Sequence, residues 1–304
     1  MNFGIKVSQY LAPRYWPGWL LLGLMYAGAQ LPLRLLYAAG TALGELAYRL
    51  APRRRRIAEI NIDLCFPELS EQERKKLVRD CFHSTGKTVL EIAYAFWGNQ
   101  KKLLKITKIE GLEHLQNANR DNRPVLMVGG HMCCVEIVGR VLAYHVPFQV
   151  IYKPAKNRLI DEVILKQRLS CHTDVVPHKQ SRRMLKNLKK GLITWYAPDQ
   201  SFGGEDIVYA PFFGVPAATL TATSRLCRFS NAVVVPFFPY RLPGGKGYRM
   251  VLQPPLENFP SDSVEDDAAR INKLIEDAVR VAPEQYLWLH RRFHRRPKGE
   301  AEFY

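Results

Sequence analysis

Residues 124–140 constrain the fold more than any other stretch of the chain. Val125-Leu126-Met127-Val128 is a short apolar run of the kind that fills a buried strand, and Gly129-Gly130 breaks it. Val135, Ile137, Val138, Val141 and Leu142 then recur as the inner positions of a helix. His131 therefore sits on a strand-to-helix turn, and the carboxyl ends of strands are where open α/β sheets meet their ligands. Glu136 follows five residues on, an offset that separates two side chains on one continuous helix. With His131 in the loop before the first turn, the carboxylate can reach back to an imidazole nitrogen. A neutral imidazole held by a carboxylate can take a proton from a hydroxyl, so a substrate alcohol would stand where a hydrolase triad has its serine. Gly129 and Gly130 allow close approach of backbone, and amides of the first helical turn could hold an oxyanion or a phosphate. The blander alternative, a satisfied histidine with a glutamate on a solvated helix face, fits the same residues.

The rest of the pattern alternates strands with helices. Strands are expected at 106–110, 148–152, 174–177, 192–196 and 232–238, with antiparallel strands around a hairpin at Gly244-Gly245. A capping box, Ser70 with Glu73, opens a long helix to about Trp97. Further helices are expected at 157–169, 181–190, 219–229, 266–281 and 284–293. This predicts an α/β fold, a mostly parallel mixed sheet flanked by helices, with an N-terminal membrane-associated helical segment. The division expected is 1–52 for that segment and 53–304 for the α/β domain, the helix at 70–97 included.

The N-terminal segment is read from its charge pattern. No charged residue occurs from Tyr15 to Leu33, and Trp16 to Ala29 is dense in Leu, Trp, Tyr and Gly. An amphipathic helix follows to Ala51-Pro52, then Arg53-Arg54-Arg55-Arg56. Aromatic residues in front and arginines behind suit an interfacial anchor on anionic lipid; a buried helix pair with a solvated arginine run is the alternative. The net charge of +16 calls for a polyanionic partner: nucleic acid, anionic membrane or a phosphorylated substrate. Six cysteines with no CxxC spacing suit free thiols in a reducing compartment. There is no metal-ligand spacing and no nucleotide-binding glycine loop, so no cofactor is expected.

Several blocks carry a resemblance. Asn61-Ile62 with Cys65-Phe66-Pro67-Glu68-Leu69-Ser70, Gly130-His131-x4-Glu136, Tyr152-Lys153-Pro154, Trp195-Tyr196-Ala197-Pro198-Asp199-Gln200, Pro211-Phe212-Phe213-Gly214, Thr221-Ala222-Thr223-Ser224-Arg225 and 283–293 stand in this order. They resemble the late acyltransferases of lipid A biosynthesis, the lauroyl and myristoyl transferases related to the glycerophospholipid acyltransferases. The resemblance implies His131 as catalytic base and Glu136 as its acidic partner. It implies Arg168 and Asp199 as residues needed for activity, with Gly130, Lys153 and Arg292 in supporting or substrate-binding places. Asp199 would hold the Arg168 guanidinium or the substrate.

The activity implied is transfer of an acyl chain from acyl carrier protein to a hydroxyl of a phosphorylated glycolipid, at the cytoplasmic face of the cell inner membrane. A polyanionic acceptor, an anionic membrane and an acidic carrier protein would each account for the basic charge, with no nucleic acid involved. Trp97, Phe202, Phe212 and Phe213 are candidates to line an acyl tunnel. Three other readings stay open on sequence: a different glycolipid or amino-acid lipid acceptor, a thioesterase, and a basic protein that binds membrane or nucleic acid without catalysis.

Overall fold

The computed structural model describes residues 4–200 and 206–304, so Phe202 lies outside the described residues. The strands are β1 (Thr107–Glu110), β2 (Val125–Val128), β3 (Phe148–Tyr152), β4 (Asp174–Pro177), β5 (Ile193–Tyr196), β6 (Ile207–Phe212), β7 (Val215–Leu220), β8 (Val233–Arg241) and β9 (Tyr248–Leu252). The helices are α1 (Trp16–Ala29), α2 (Leu33–Leu50), α3 (Pro52–Cys65), α4 (Glu71–Trp97), α5 (Gln100–Lys105), α6 (Leu112–Ala118), α7 (Val135–Leu142), α8 (Arg158–Leu169), α9 (Ser181–Lys189), α10 (Ala222–Ser230) and α11 (Val264–Val281).

Seven strands form one sheet in the order β1-β9-β8-β2-β5-β3-β4. All neighbours are parallel except β8 and β9, whose hairpin reverses the direction for β9 and β1. Every residue of β2 is buried, as a central strand covered on both faces demands, which is why its sequence shows no alternation. The expected α/β sheet with flanking helices is therefore what this chain forms.

The N-terminal helices are tied to the rest by close packing. A Cβ on Gly44 of α2 would lie 2.2 Å from the Phe82 carbonyl, and one on Gly86 of α4 would lie 2.2 Å from the Gly40 carbonyl. Only glycine permits so tight a contact between the two helices. Leu22 of α1 packs with Leu159 and Val163 of α8. Trp16, Leu20 and Leu24 of α1 stay exposed at four-residue spacing, and Leu35, Leu43, Leu46 and Leu50 of α2 are exposed as well. Among the described residues no helix is long and apolar enough to cross a membrane.

Two expectations about elements are corrected. Residues 284–293 are not a helix: only Pro283–Gln285 makes a single 3-10 turn, because Tyr286 and Leu287 pair with the loop at His131 and the backbone beyond them closes only short turns. Thr219 and Leu220 end β7, and the helix begins at Ala222. The β6–β7 hairpin had no sequence signal, since its two-residue turn is Phe213-Gly214, both with positive φ (51° and 75°), where Asn-Gly is the usual signature. Phe213 is held there by its ring, 5.0 Å from those of Phe66 and Phe212, and by its amide, which donates to Glu276 (2.7 Å).

A candidate active site at the end of the central strand

β2 ends at Val128, and the two glycines after it are required by space. A Cβ on Gly129 would meet the Phe237 carbonyl at 2.3 Å, and one on Gly130 would meet Ile275 at 2.9 Å. The backbone can therefore turn tightly against β8 and α11, and it delivers His131 outside the carboxyl end of the sheet. β5 lies beside β2, so the residues after Tyr196 arrive at the same place.

There Asp199, 1% exposed, takes hold of His131 twice. The His131 amide donates to Oδ2 at 2.7 Å and Nδ1 donates to Oδ1 at 2.5 Å. Burial by itself would raise the Asp199 pKa, but the His131 charge and hydrogen bonds outweigh it and hold the carboxyl at about 2. Burial likewise pulls His131 down, and the Asp199 carboxylate outweighs that and raises its pKa above the ordinary value. With Nδ1 occupied, Nε2 is the ring nitrogen left for proton transfer.

Glu136 does not partner His131, which corrects the expectation. It lies in the first turn of α7 facing the last turn of α8, where Arg168 binds it through two parallel bonds, Nε to Oε1 at 2.9 Å and Nη2 to Oε2 at 2.5 Å. Burial opposes ionisation of Glu136, and Arg168 overcomes it, so its pKa falls. Asp199 accordingly does not hold Arg168.

The loop is clamped from the other side by the C-terminal segment. Cys133 donates its amide to the Gln285 carbonyl (2.7 Å), Leu287 donates to the His131 carbonyl (3.2 Å), and Met132 bridges Tyr286. The Gln285 side chain is fixed in turn by both backbone groups of Arg241, whose guanidinium grips buried Glu91 of α4. The amides of Met132, Cys133 and Val135 are already bonded to carbonyls, so these three are not free oxyanion donors. Cys133 and Cys134 are buried, and burial pushes both thiols up, which removes them as nucleophiles at neutral pH.

A cavity of about 300 Å³ opens beside His131, under α7. Its apolar lining comes from Met127, Val135, Phe148, Val150, Trp195 and Phe237; Glu136 with Arg168, Tyr152, Lys153 and His172 supply the polar part. Burial holds His172 down at about 4, so it is neutral there. A second, narrow cleft that also touches His131 is lined by Asn61, Asp199, Gln200, Tyr286, Trp288 and His290.

The supporting residues divide. Gly130 and Lys153 stand at the site, Lys153 exposed at the cavity mouth. Arg292 touches the cleft but is corrected as a free anion binder: it is 1% exposed and donates to Ala218 (2.8 Å), Thr219 and Asn272 over the Phe212 ring. Phe212 and Phe213 pack with Phe66, Tyr286 and Trp288, and Trp97 packs on Tyr26 and Phe96; none of the three lines the cavity. Trp195, Phe148 and His172 do, and no spacing in the sequence marked them.

Comparison with known proteins gives the class. The family described as bacterial lipid A biosynthesis acyltransferase matches residues 5–295, and the chain belongs to that family. It is thus a transferase, an acyltransferase of lipid A biosynthesis. Among individual relatives it is 41% identical over 298 residues to the lipid A biosynthesis lauroyltransferase of Escherichia coli strain K12, covering 98% of this chain and 97% of that one. It is 37% identical over 297 residues to the palmitoleoyltransferase of the same strain, 97% of each chain, and 30% identical over 306 residues to its myristoyltransferase, 98% of this chain and 93% of that one. A solved 1-acyl-sn-glycerophosphate acyltransferase from Thermotoga maritima aligns with a TM-score of 0.41 and 14% identity, over 82% of this chain and 97% of that one.

Proposed function

We propose that this enzyme moves a fatty acyl chain from the thioester of acyl carrier protein to a hydroxyl of a lipid A precursor, with His131 as general base and Asp199 as its partner. The observation that carries the reading is a histidine whose Nδ1 is fixed by a buried aspartate and which borders a largely apolar cavity. Nε2 takes the proton of the acceptor hydroxyl as its oxygen attacks the thioester carbon. The tetrahedral intermediate collapses with cleavage of the carbon–sulfur bond, and the thiolate leaves with the proton held by His131. No acyl-enzyme forms.

The chain occupies the cavity, where each methylene removed from water is worth about 0.8 kcal/mol. The Glu136–Arg168 pair neutralises itself by two bonds, so it forms a wall of that cavity without presenting a net charge to the chain. Docking on the cytoplasmic face of the inner membrane is supported by the exposed leucines of α1 and α2 and by exposed Arg53, Arg54 and Arg56 at the start of α3. On this reading residues 1–52 are the docking segment and 53–304 the transferase domain. The three relatives above are named for three different acyl chains, so membership of the family leaves the chain open.

Purified protein given acyl carrier thioester and a lipid A precursor should yield a product heavier by one acyl chain, and lipid A from cells lacking the protein should be lighter by that mass. Thioester hydrolysis that no acceptor suppresses would overturn the assignment in favour of a thioesterase.

A further inference from the structure

We propose that Gly139 sets the length of the acyl chain this enzyme accepts, by leaving open the part of the cavity beneath α7. The inference rests on the reading of that cavity as the acyl site.

The parallel topology gives the cavity a direction. His131 and Tyr152 belong to the carboxyl ends of their strands, whereas Phe148 is the first residue of β3 and His172 lies just before β4. From Tyr152 back to Phe148 is four residue steps, about 13 Å along a strand. The cavity thus begins beside the histidine and ends at Phe148 and His172, whose rings meet edge to face 4.7 Å apart.

α7 runs back over this space. Ile137, Val138, Val141 and Leu142 are its buried side, while Glu136 and Gly139, one turn apart, border the cavity. A Cβ built on Gly139 meets nothing within 4 Å. That separates it from Gly40, Gly44 and Gly86, where the added carbon would strike backbone at 2.6, 2.2 and 2.2 Å. Neither a turn nor a close helix contact requires glycine at 139, and a helix interior disfavours it. What its missing side chain supplies is empty volume in the wall of the cavity that joins the histidine to Phe148. A larger residue there would fill the path of the chain before it reached Phe148.

The test uses the full chain as wild type, Gly139→Ala and Gly139→Leu. Acyl carrier protein is loaded with saturated chains in two-carbon steps at a fixed concentration of lipid A precursor, and kcat/KM is measured for each donor. Gly139→Leu should move the optimum to chains shorter by two carbons or more, each excluded methylene pair costing the longer donor about tenfold. Gly139→Ala should shift it the same way by less, with KM for the acceptor unchanged in both. An unaltered chain-length profile in a Gly139→Leu protein that unfolds like the wild type overturns the proposal. If leucine blocks every donor, Gly139→Ala decides: its optimum shifts to shorter chains or the proposal falls. A raised acceptor KM with an unchanged donor profile would assign the cavity to the acceptor and overturn both the gauge and the acyl reading. No transfer by the wild type from any thioester would overturn that reading, and the gauge with it, before any variant is compared.

Discussion

Two carboxylates, one buried and one half-buried, stand close to one cavity, and each is ionised by a cation, yet the pairs are built for different work. Asp199 faces an imidazole, which gains and loses its proton near neutral pH, so its charge tunes a group that can exchange protons. Glu136 faces a guanidinium, which stays charged, so its charge is spent on holding α7 to α8. The pair suggested by proximity in sequence, five residues apart, is not the one that forms. The pair that forms spans 68 residues and exists because β5 lies next to β2.

The largest effect expected is that of His131→Ala, a loss of about a hundred- to ten-thousand-fold in kcat/KM in a protein that remains folded. Near-normal turnover by that variant would end the general-base role. Asp199→Asn should come next, with a loss on the order of a hundredfold and a change in pH dependence. The raised pKa of His131 places the acid limb of wild-type kcat/KM above the ordinary histidine value of about 6.5. Without the carboxylate charge only burial remains, so in Asp199→Asn the limb should move to lower pH.

Glu136→Gln should act mainly on stability. It leaves the Arg168 charge largely buried without its partner, at a cost on the order of 3 kcal/mol, read as a lower Tm. Adding Arg168→Met should recover much of that cost, and the acid limb should stay in place. Were Glu136→Gln to displace the limb as Asp199→Asn does, the contrast between the two pairs would collapse. The smallest effect is expected from Cys133→Ala, whose buried, protonated thiol has no part in the step: kcat/KM within about threefold of wild type. A larger loss, with unchanged unfolding, would reopen the thiol.

What could be read from the chain was whatever depends on neighbours in sequence. The β2 run, the glycine turn carrying His131, and the Ser70 cap of α4 each announce themselves within a few residues, and each forms as expected. Partnership across the sheet depends on strand order, which no local pattern encodes, so Asp199 was recognised as important without being matched to His131. Residues 283–293 have helical composition, but Trp288 and Phe293 are drawn into the core and the backbone finds partners on the His131 loop. The resemblance placed Arg292 among supporting or substrate-binding residues, and its burial is not visible in sequence. Nothing in the sequence distinguishes Gly139 from Gly44; only the space around each does.

The grip of Gln285 and Leu287 on the histidine loop has a consequence for how the enzyme comes into being. Those residues are translated about 150 positions after His131. At roughly 5–20 residues per second, a growing chain carries its histidine for about 8–30 s before the segment that fixes it exists. A nascent chain that has not yet reached Gln285 and Leu287 therefore lacks the contacts that clamp its histidine loop, and its centre is not yet assembled.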